Sequence, residues 1–212
     1  MANSDQFKRE VLSRYANVAP ADWRFSSGEH GKPGLLDSPL PLDFNVSHSG
    51  DWLACAVTAG TAVGLDVEYC DPARDVMKLA RRFFQAREIA ALQACSQGEQ
   101  TAKFYDYWTL KEACIKARGK TLGQGLESAG FHLDFPVGAE GVTGPGEIRE
   151  DPEDMAAGAY YCLLEPVADY RLAICWLPPT AMQPRLRLFE LDGADQPIRE
   201  CSPLLRASSR AG

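Results

Sequence analysis

No stretch of this chain stays apolar for the ~18 residues that a membrane-crossing helix needs. Its opening residues, Met1 to Glu10, also lack the apolar core of a secretory signal. There is no Cys-x-x-Cys pair, and the seven cysteines (55, 70, 95, 114, 162, 175, 201) are odd in number, with several inside apolar runs. That usage argues against a disulfide framework or a zinc site and for reduced thiols, so a cytoplasmic protein is expected. Positive charge is in deficit: 22 basic residues against 29 acidic ones give −7, which disfavours a general binder of nucleic acid or anionic membrane. A Gly-x-Ser-x-Gly elbow is missing as well. Ser47, His48 and Asp51 do not make a nucleophilic triad, because neighbours on a strand point to opposite faces.

What remains is ordinary globular material, 45% hydrophobic and 24% charged over 212 residues, enough for one domain or two small lobes sharing a core. Charge is unevenly placed. Residues 74–120 carry ten basic and five acidic side chains, so this stretch is +5 and the remainder −12. Such a stretch is a solvated helical face or a surface for an anionic ligand or partner.

Periodicity predicts a short helix over 6–16, then a turn-rich segment, then strands at 43–48, 52–59 and 62–68. Helices are expected over 76–84, from near Glu88, and over about 100–118, where Tyr107, Leu110, Cys114 and Ala117 form the buried stripe. Strands return at 130–135, 158–165 and 170–177; residues 136–157 read as a loop, and a weak strand at 185–191 precedes a frayed tail. The pattern is α+β.

Three segments carry chemistry. In Gly64-Leu65-Asp66-Val67-Glu68 the alternation of a strand puts both carboxylates on one face and Leu65 and Val67 in the core. Adjacent carboxylates repel unless a cation lies between them, and hard oxygen ligands suit Mg²⁺ beside a phosphate. Alone, so short a motif also fits two solvated acids on an edge strand. In Trp108-Thr109-Leu110-Lys111-Glu112-Ala113-Cys114-Ile115-Lys116, Glu112 and Lys116 are either a routine i, i+4 surface pair or a third oxygen ligand with a phosphate-neutralising lysine, shielded by Trp108 one turn away. In Phe44-Asn45-Val46-Ser47-His48-Ser49-Gly50, a histidine beside hydroxyls at a strand end suits gripping a phosphate, or is a hydrogen-bonded structural histidine.

Taken in order with Phe83-Phe84-Gln85-Ala86-Arg87-Glu88 and Gly31-Lys32-Pro33, these motifs resemble the 4'-phosphopantetheinyl transferase superfamily, in its larger, monomeric, surfactin-synthetase-activating form. The resemblance runs from about Phe7 to Trp176. It implies two similar α+β lobes related by a pseudo-twofold axis, with coenzyme A and Mg²⁺ in the cleft between them. It implies transfer of the phosphopantetheine arm of coenzyme A to a serine of an apo acyl or peptidyl carrier protein, releasing 3',5'-ADP. By position in the motifs, Asp66, Glu68 and Glu112 would hold the metal, and Lys111 and Lys116 would lie near the pyrophosphate. Ser47, His48, Gly31, Lys32 and Pro33 would contact coenzyme A, with Trp108 beside the site. Either Glu88 or Glu112 would be the general base.

The expected division is a first lobe over 1–60, a second lobe with the metal site over 61–177, and an irregular tail over 178–212. The family form carries several dozen residues ahead of the helix matched by Phe7–Tyr15, so a shortened first lobe with a weaker grip on the coenzyme is expected. A relative that binds coenzyme A or carrier protein without turnover is the alternative. A phosphohydrolase using the same carboxylates is a weaker third reading.

Overall fold

The computed structural model describes residues 4–28, 31–135, 137–138, 141–142, 146–150, 158–178, 185–190, 199–201 and 204–208. The helix α1 (Ser4–Leu12) buries Val11 and Leu12. Leu12 joins Trp23 and Phe44 in a small core of the N-terminal part. A 3-10 turn at Pro20–Asp22 leads into the hairpin of β1 (Arg24–Ser27) and β2 (Pro33–Leu36). A second hairpin follows, β3 (Leu42–Ser49) with β4 (Trp52–Ala59), turning at Gly50, whose φ of 56° is the left-handed conformation glycine accepts readily.

The strand β5 (Ala62–Tyr69) opens the larger part. After it come the helices α2 (Val76–Phe83), α3 (Ala86–Gln93), α4 (Gln97–Ala117) and the single turn α5 (Leu122–Gly125). The strands β6 (Phe131–Asp134), β7 (Val137–Gly138), β8 (Gly141–Val142) and β9 (Gly146–Glu150) follow. Next are β10 (Tyr160–Glu165), β11 (Tyr170–Leu177), β12 (Leu188–Glu190), β13 (Arg199–Cys201) and β14 (Leu204–Ser208). The fold is α+β. Six strands form one sheet in the order β5-β11-β10-β14-β9-β6, antiparallel except for the β14–β9 pair.

Two expectations need correction. Residues 136–157 read as a loop, yet β9 lies inside this span and joins the sheet. Residues 178–212 were expected to be irregular, yet β14 inserts between β10 and β9. β14 pairs with β10 and β9, both distant in sequence, and β9 with β6 across an intervening stretch, and local periodicity reports neither pairing. Parts of both spans (139–140, 143–145, 151–157, 179–184, 191–198 and 209–212 among them) lie outside the described residues.

The sheet faces are chemically distinct. Val63, Leu65 and Val67 of β5 join Leu172, Ile174 and Trp176 of β11 in one core cluster, against Ala54 and Ala56 of β4. On the other face Gly64, Asp66 and Glu68 stand opposite Cys175, Ala173 and Arg171. Here α4 packs, its Leu110, Ala113, Cys114 and Ala117 in the main core with Ala173 and Cys175. The buried guanidinium of Arg171 fastens β11 to α4 through Asp106 (Nε to Oδ1, 2.9 Å).

The hairpin β3–β4 meets β5 through side chains. Asp43 accepts the Val63 N–H (2.8 Å), Asn45 that of Leu65 (2.9 Å) and Ser49 that of Tyr69 (3.0 Å). Alternate side chains of β3 thus occupy the open edge of β5, satisfying donors that would otherwise lack partners.

Candidate active site

β5 and α4 each bring acids to one point. Asp66 and Glu68 share the α4-facing side of β5, as their i, i+2 spacing requires, and Glu112 reaches them from α4. One carboxylate oxygen from each of the three lies within 4.8 Å of the others. Asp66 is 2% exposed and Glu112 8%, whereas Glu68 is half-buried and forms the open side.

Lys116, one turn beyond Glu112, provides counter-charge: its Nζ is 2.6 Å from Asp66 Oδ1 and 3.4 Å from Glu112 Oε2. Ser47 donates to Asp66 Oδ1 (2.8 Å) and receives Lys116 (3.3 Å), and Ser49 donates to Glu68 Oε2 (2.9 Å). Asp66 Oδ2 is buried and has no hydrogen-bond partner among the described residues. One ammonium does not offset three carboxylates. Burial above all, with the Glu112 and Glu68 charges adding and Lys116 opposing, pushes the Asp66 carboxyl up to about 7. Burial also raises Glu112, against the pull of Lys116 and a hydrogen bond from Trp108. The two carboxylates hold Lys116 above the usual lysine range although burial works the other way. A buried, unpartnered oxygen in a cluster of excess negative charge fits a hard divalent cation.

The other expected site residues are distributed differently. Trp108 is half-buried and packs on Phe83, Phe84 and Phe104, with ring centroids 5.9, 6.4 and 5.6 Å away. His48 is exposed and lies between Ser47 and Ser49, so it faces away from β5. Gly31, Lys32 and Pro33 lie at the β1–β2 hairpin, where Lys32 Nζ binds Asp43 Oδ2 (2.8 Å) and the Val63 carbonyl (3.0 Å). Lys32 therefore ties that hairpin to β3 and β5.

Glu88 and Lys111 form a pair of their own. Both are fully buried, with Lys111 Nζ 2.8 Å from Glu88 Oε2. Among the described residues neither is hydrogen-bonded to a member of the acidic triad.

Four residues hold the site together in roles that the sequence motifs did not assign: Asp43, Asn45 and Ser49, which dock β3 on β5, and Gly64, which faces α4 so closely that a Cβ there would stand 2.0 Å from the Ala113 carbonyl oxygen. The signal was present in Leu42-Asp43-Phe44-Asn45-Val46-Ser47-His48-Ser49, where a polar side chain stands at every second position.

A carboxylate triad with an embedded lysine, set between a strand and a helix of an α+β fold, defines a site able to bind a metal ion beside an anion. Comparison with known proteins takes this further. The family model described as the 4'-phosphopantetheinyl transferase superfamily matches residues 62–175. The 4'-phosphopantetheinyl transferase Sfp of Bacillus subtilis (strain 168) is 34% identical over 175 residues, 82% of this chain and 72% of that protein. The 4'-phosphopantetheinyl transferase HetI of Nostoc sp. is 39% identical over 157 residues, 71% of this chain and 66% of that protein. The chain belongs to the 4'-phosphopantetheinyl transferase superfamily and is an enzyme of that type.

Proposed function

We propose that this chain moves the phosphopantetheine arm of coenzyme A onto a serine hydroxyl of an apo acyl or peptidyl carrier protein in fatty-acid, polyketide or nonribosomal-peptide synthesis. The observation that carries this reading is the convergence of Asp66, Glu68 and Glu112, one carboxylate oxygen of each within 4.8 Å of the others, with Asp66 Oδ2 buried and unpartnered among the described residues. Asp66, Glu68 and Glu112 would hold Mg²⁺, which would supply positive charge against the coenzyme's pyrophosphate.

In the reaction the serine oxygen forms a bond to the β-phosphorus. The bond from that phosphorus to the bridging oxygen breaks, and 3',5'-ADP leaves with the electron pair. Lys116 neutralises charge gathering on the phosphate oxygens. Glu112 accepts the serine proton. Ser47 orients Asp66, and Ser49 orients Glu68, so that the acids are set before substrate arrives.

The exposed basic residues Arg74, Lys78, Arg81 and Arg82 on and before α2 are a suitable landing surface for an acidic carrier protein. Among the described residues no helix is long and apolar enough to cross a membrane. Among the described residues six cysteines are free thiols, which suits the reducing cytoplasm.

Incubation with coenzyme A, Mg²⁺ and an apo carrier protein tests the reading. One arm gained by the carrier, read by mass, supports it; coenzyme A bound with the carrier mass unchanged supports the non-catalytic alternative instead. Release of an ADP species without any carrier points to a phosphohydrolase.

A further inference from the structure

We infer that Glu88 and Lys111 are a positioning strut that sets how α4 presents Glu112 and Lys116, and that neither group touches substrate. The inference deepens the transferase reading, on which its rate measurement rests; its labelling measurement does not depend on that reading.

Every polar atom of the pair is committed internally. The Lys111 ammonium has three hydrogens and three acceptors: Glu88 Oε2 at 2.8 Å, the Leu126 carbonyl at 3.0 Å and the Ala129 carbonyl. Glu88 Oε2 also accepts the Gln85 N–H (2.8 Å), and Oε1 accepts the Phe131 N–H (3.0 Å). Both side chains are 0% exposed. Both Glu88 oxygens are already bonded and sealed from solvent, which closes them to a serine hydroxyl, and Lys111 has no N–H left to meet a phosphate.

The bonds join the start of α3, the middle of α4, the segment after α5 and the first residue of β6. Lys111 immediately precedes Glu112, and successive helical side chains diverge by about 100°. Locking Lys111 on the inner side therefore sets the rotation of α4 that turns Glu112 toward Asp66 and Glu68. The Gly64 contact fixes how closely α4 approaches β5; the strut fixes how it is turned.

Lysine footprinting with an amine-acylating reagent reads the placement in the native chain. We expect Lys116 to be labelled in the free protein and protected by coenzyme A with Mg²⁺, and Lys111 to be labelled only after unfolding. Labelling of Lys111 in the folded free protein, suppressed by coenzyme A, overturns the inference even if no transfer is detected.

Rescue reads the positioning. Lys111→Met leaves a buried carboxylate unpaired and lowers the transfer rate by about tenfold or more, while Glu88→Gln with Lys111→Met removes both charges and recovers most of it. The acid limb of the pH–rate profile stays where it is in the unaltered protein, because no proton acceptor has been removed. A folded double variant that binds Mn²⁺ normally yet remains more than about a hundredfold slower overturns the inference, since a group meeting substrate is not restored by removing its neighbour. Should the double variant fail to fold, the footprint decides.

Discussion

Gly64 of β5 lies directly beneath the backbone of Ala113 in α4: a Cβ at position 64 would stand 2.0 Å from the Ala113 carbonyl oxygen and 2.3 Å from the Ala117 amide nitrogen. Glu112 is the neighbour of Ala113, and Asp66 is two residues from Gly64. The close approach of helix to strand is thus what brings their carboxylates within reach. Gly64→Ala has only backbone to push against, so α4 must move away. We expect a loss of roughly 2–4 kcal/mol of stability and a fall in metal affinity, read by denaturant unfolding and Mn²⁺ titration. A variant as stable and as tightly metal-binding as the unaltered protein would show that the contact does not set the site.

Ser47 and His48 separate by the face of the strand they occupy. Ser47→Ala removes a buried hydroxyl from Asp66 Oδ1, and we expect a loss of about 1–2 kcal/mol together with weaker metal binding. His48→Ala leaves metal affinity unchanged, and any effect falls on the KM for coenzyme A. Calorimetric metal titration of the two variants, with coenzyme kinetics, separates these outcomes.

Protons and metal compete for the same oxygens. Asp66 titrates near pH 7 rather than at its ordinary 3.8. Its folded-state pKa is raised, so its contribution to stability is present below about pH 4 and is lost as pH rises through about 7 in metal-free protein. Divalent metal reverses the trend by binding the ionised form. We expect metal affinity to drop by about tenfold per unit as pH falls from about 7 to 5, if one proton is displaced per ion. The Asp66→Asn variant should show a shallower dependence in whatever metal binding it retains, with Glu112 left as the competing acid.

The link between hairpin and sheet makes a further case. Lys32, Asp43 and Val63 form one chain of contacts, and Asp43→Asn weakens both the ammonium contact and the Val63 N–H acceptor. We expect a lower melting temperature, with the transfer rate under saturating coenzyme A little changed below the transition. A loss of rate without a loss of stability would instead assign Asp43 to the chemistry.

Local pattern carried much of this structure, and its limits have physical causes. The strands at 52–59 and 170–177 were legible from their alternation and composition, and Leu172, Ile174 and Trp176 do share one face. Asp66 and Glu68 were legible because a strand leaves i and i+2 no choice of side. α4 was legible as a helix but not in its surroundings: Phe104, Tyr105, Ala113 and Ile115 are buried beside the expected stripe, so the helix is covered on more than one face. On such a helix nothing local separates Lys111, sealed in the core, from Lys116, which borders the acids. That difference is made by Glu88, Leu126 and Ala129, which approach from other elements. The same non-locality hid β14, whose partners β10 and β9 lie far back along the chain, and hid the place of β9 beside it.

Titration with Mn²⁺, followed by electron paramagnetic resonance, examines the acidic triad most directly. The unaltered chain should bind one ion, and Asp66→Asn and Glu112→Gln should each weaken it by more than about a hundredfold while the circular dichroism spectrum is retained. Binding of equal strength in both variants would mean that these oxygens do not hold the ion, and the assignment of the site would be contradicted.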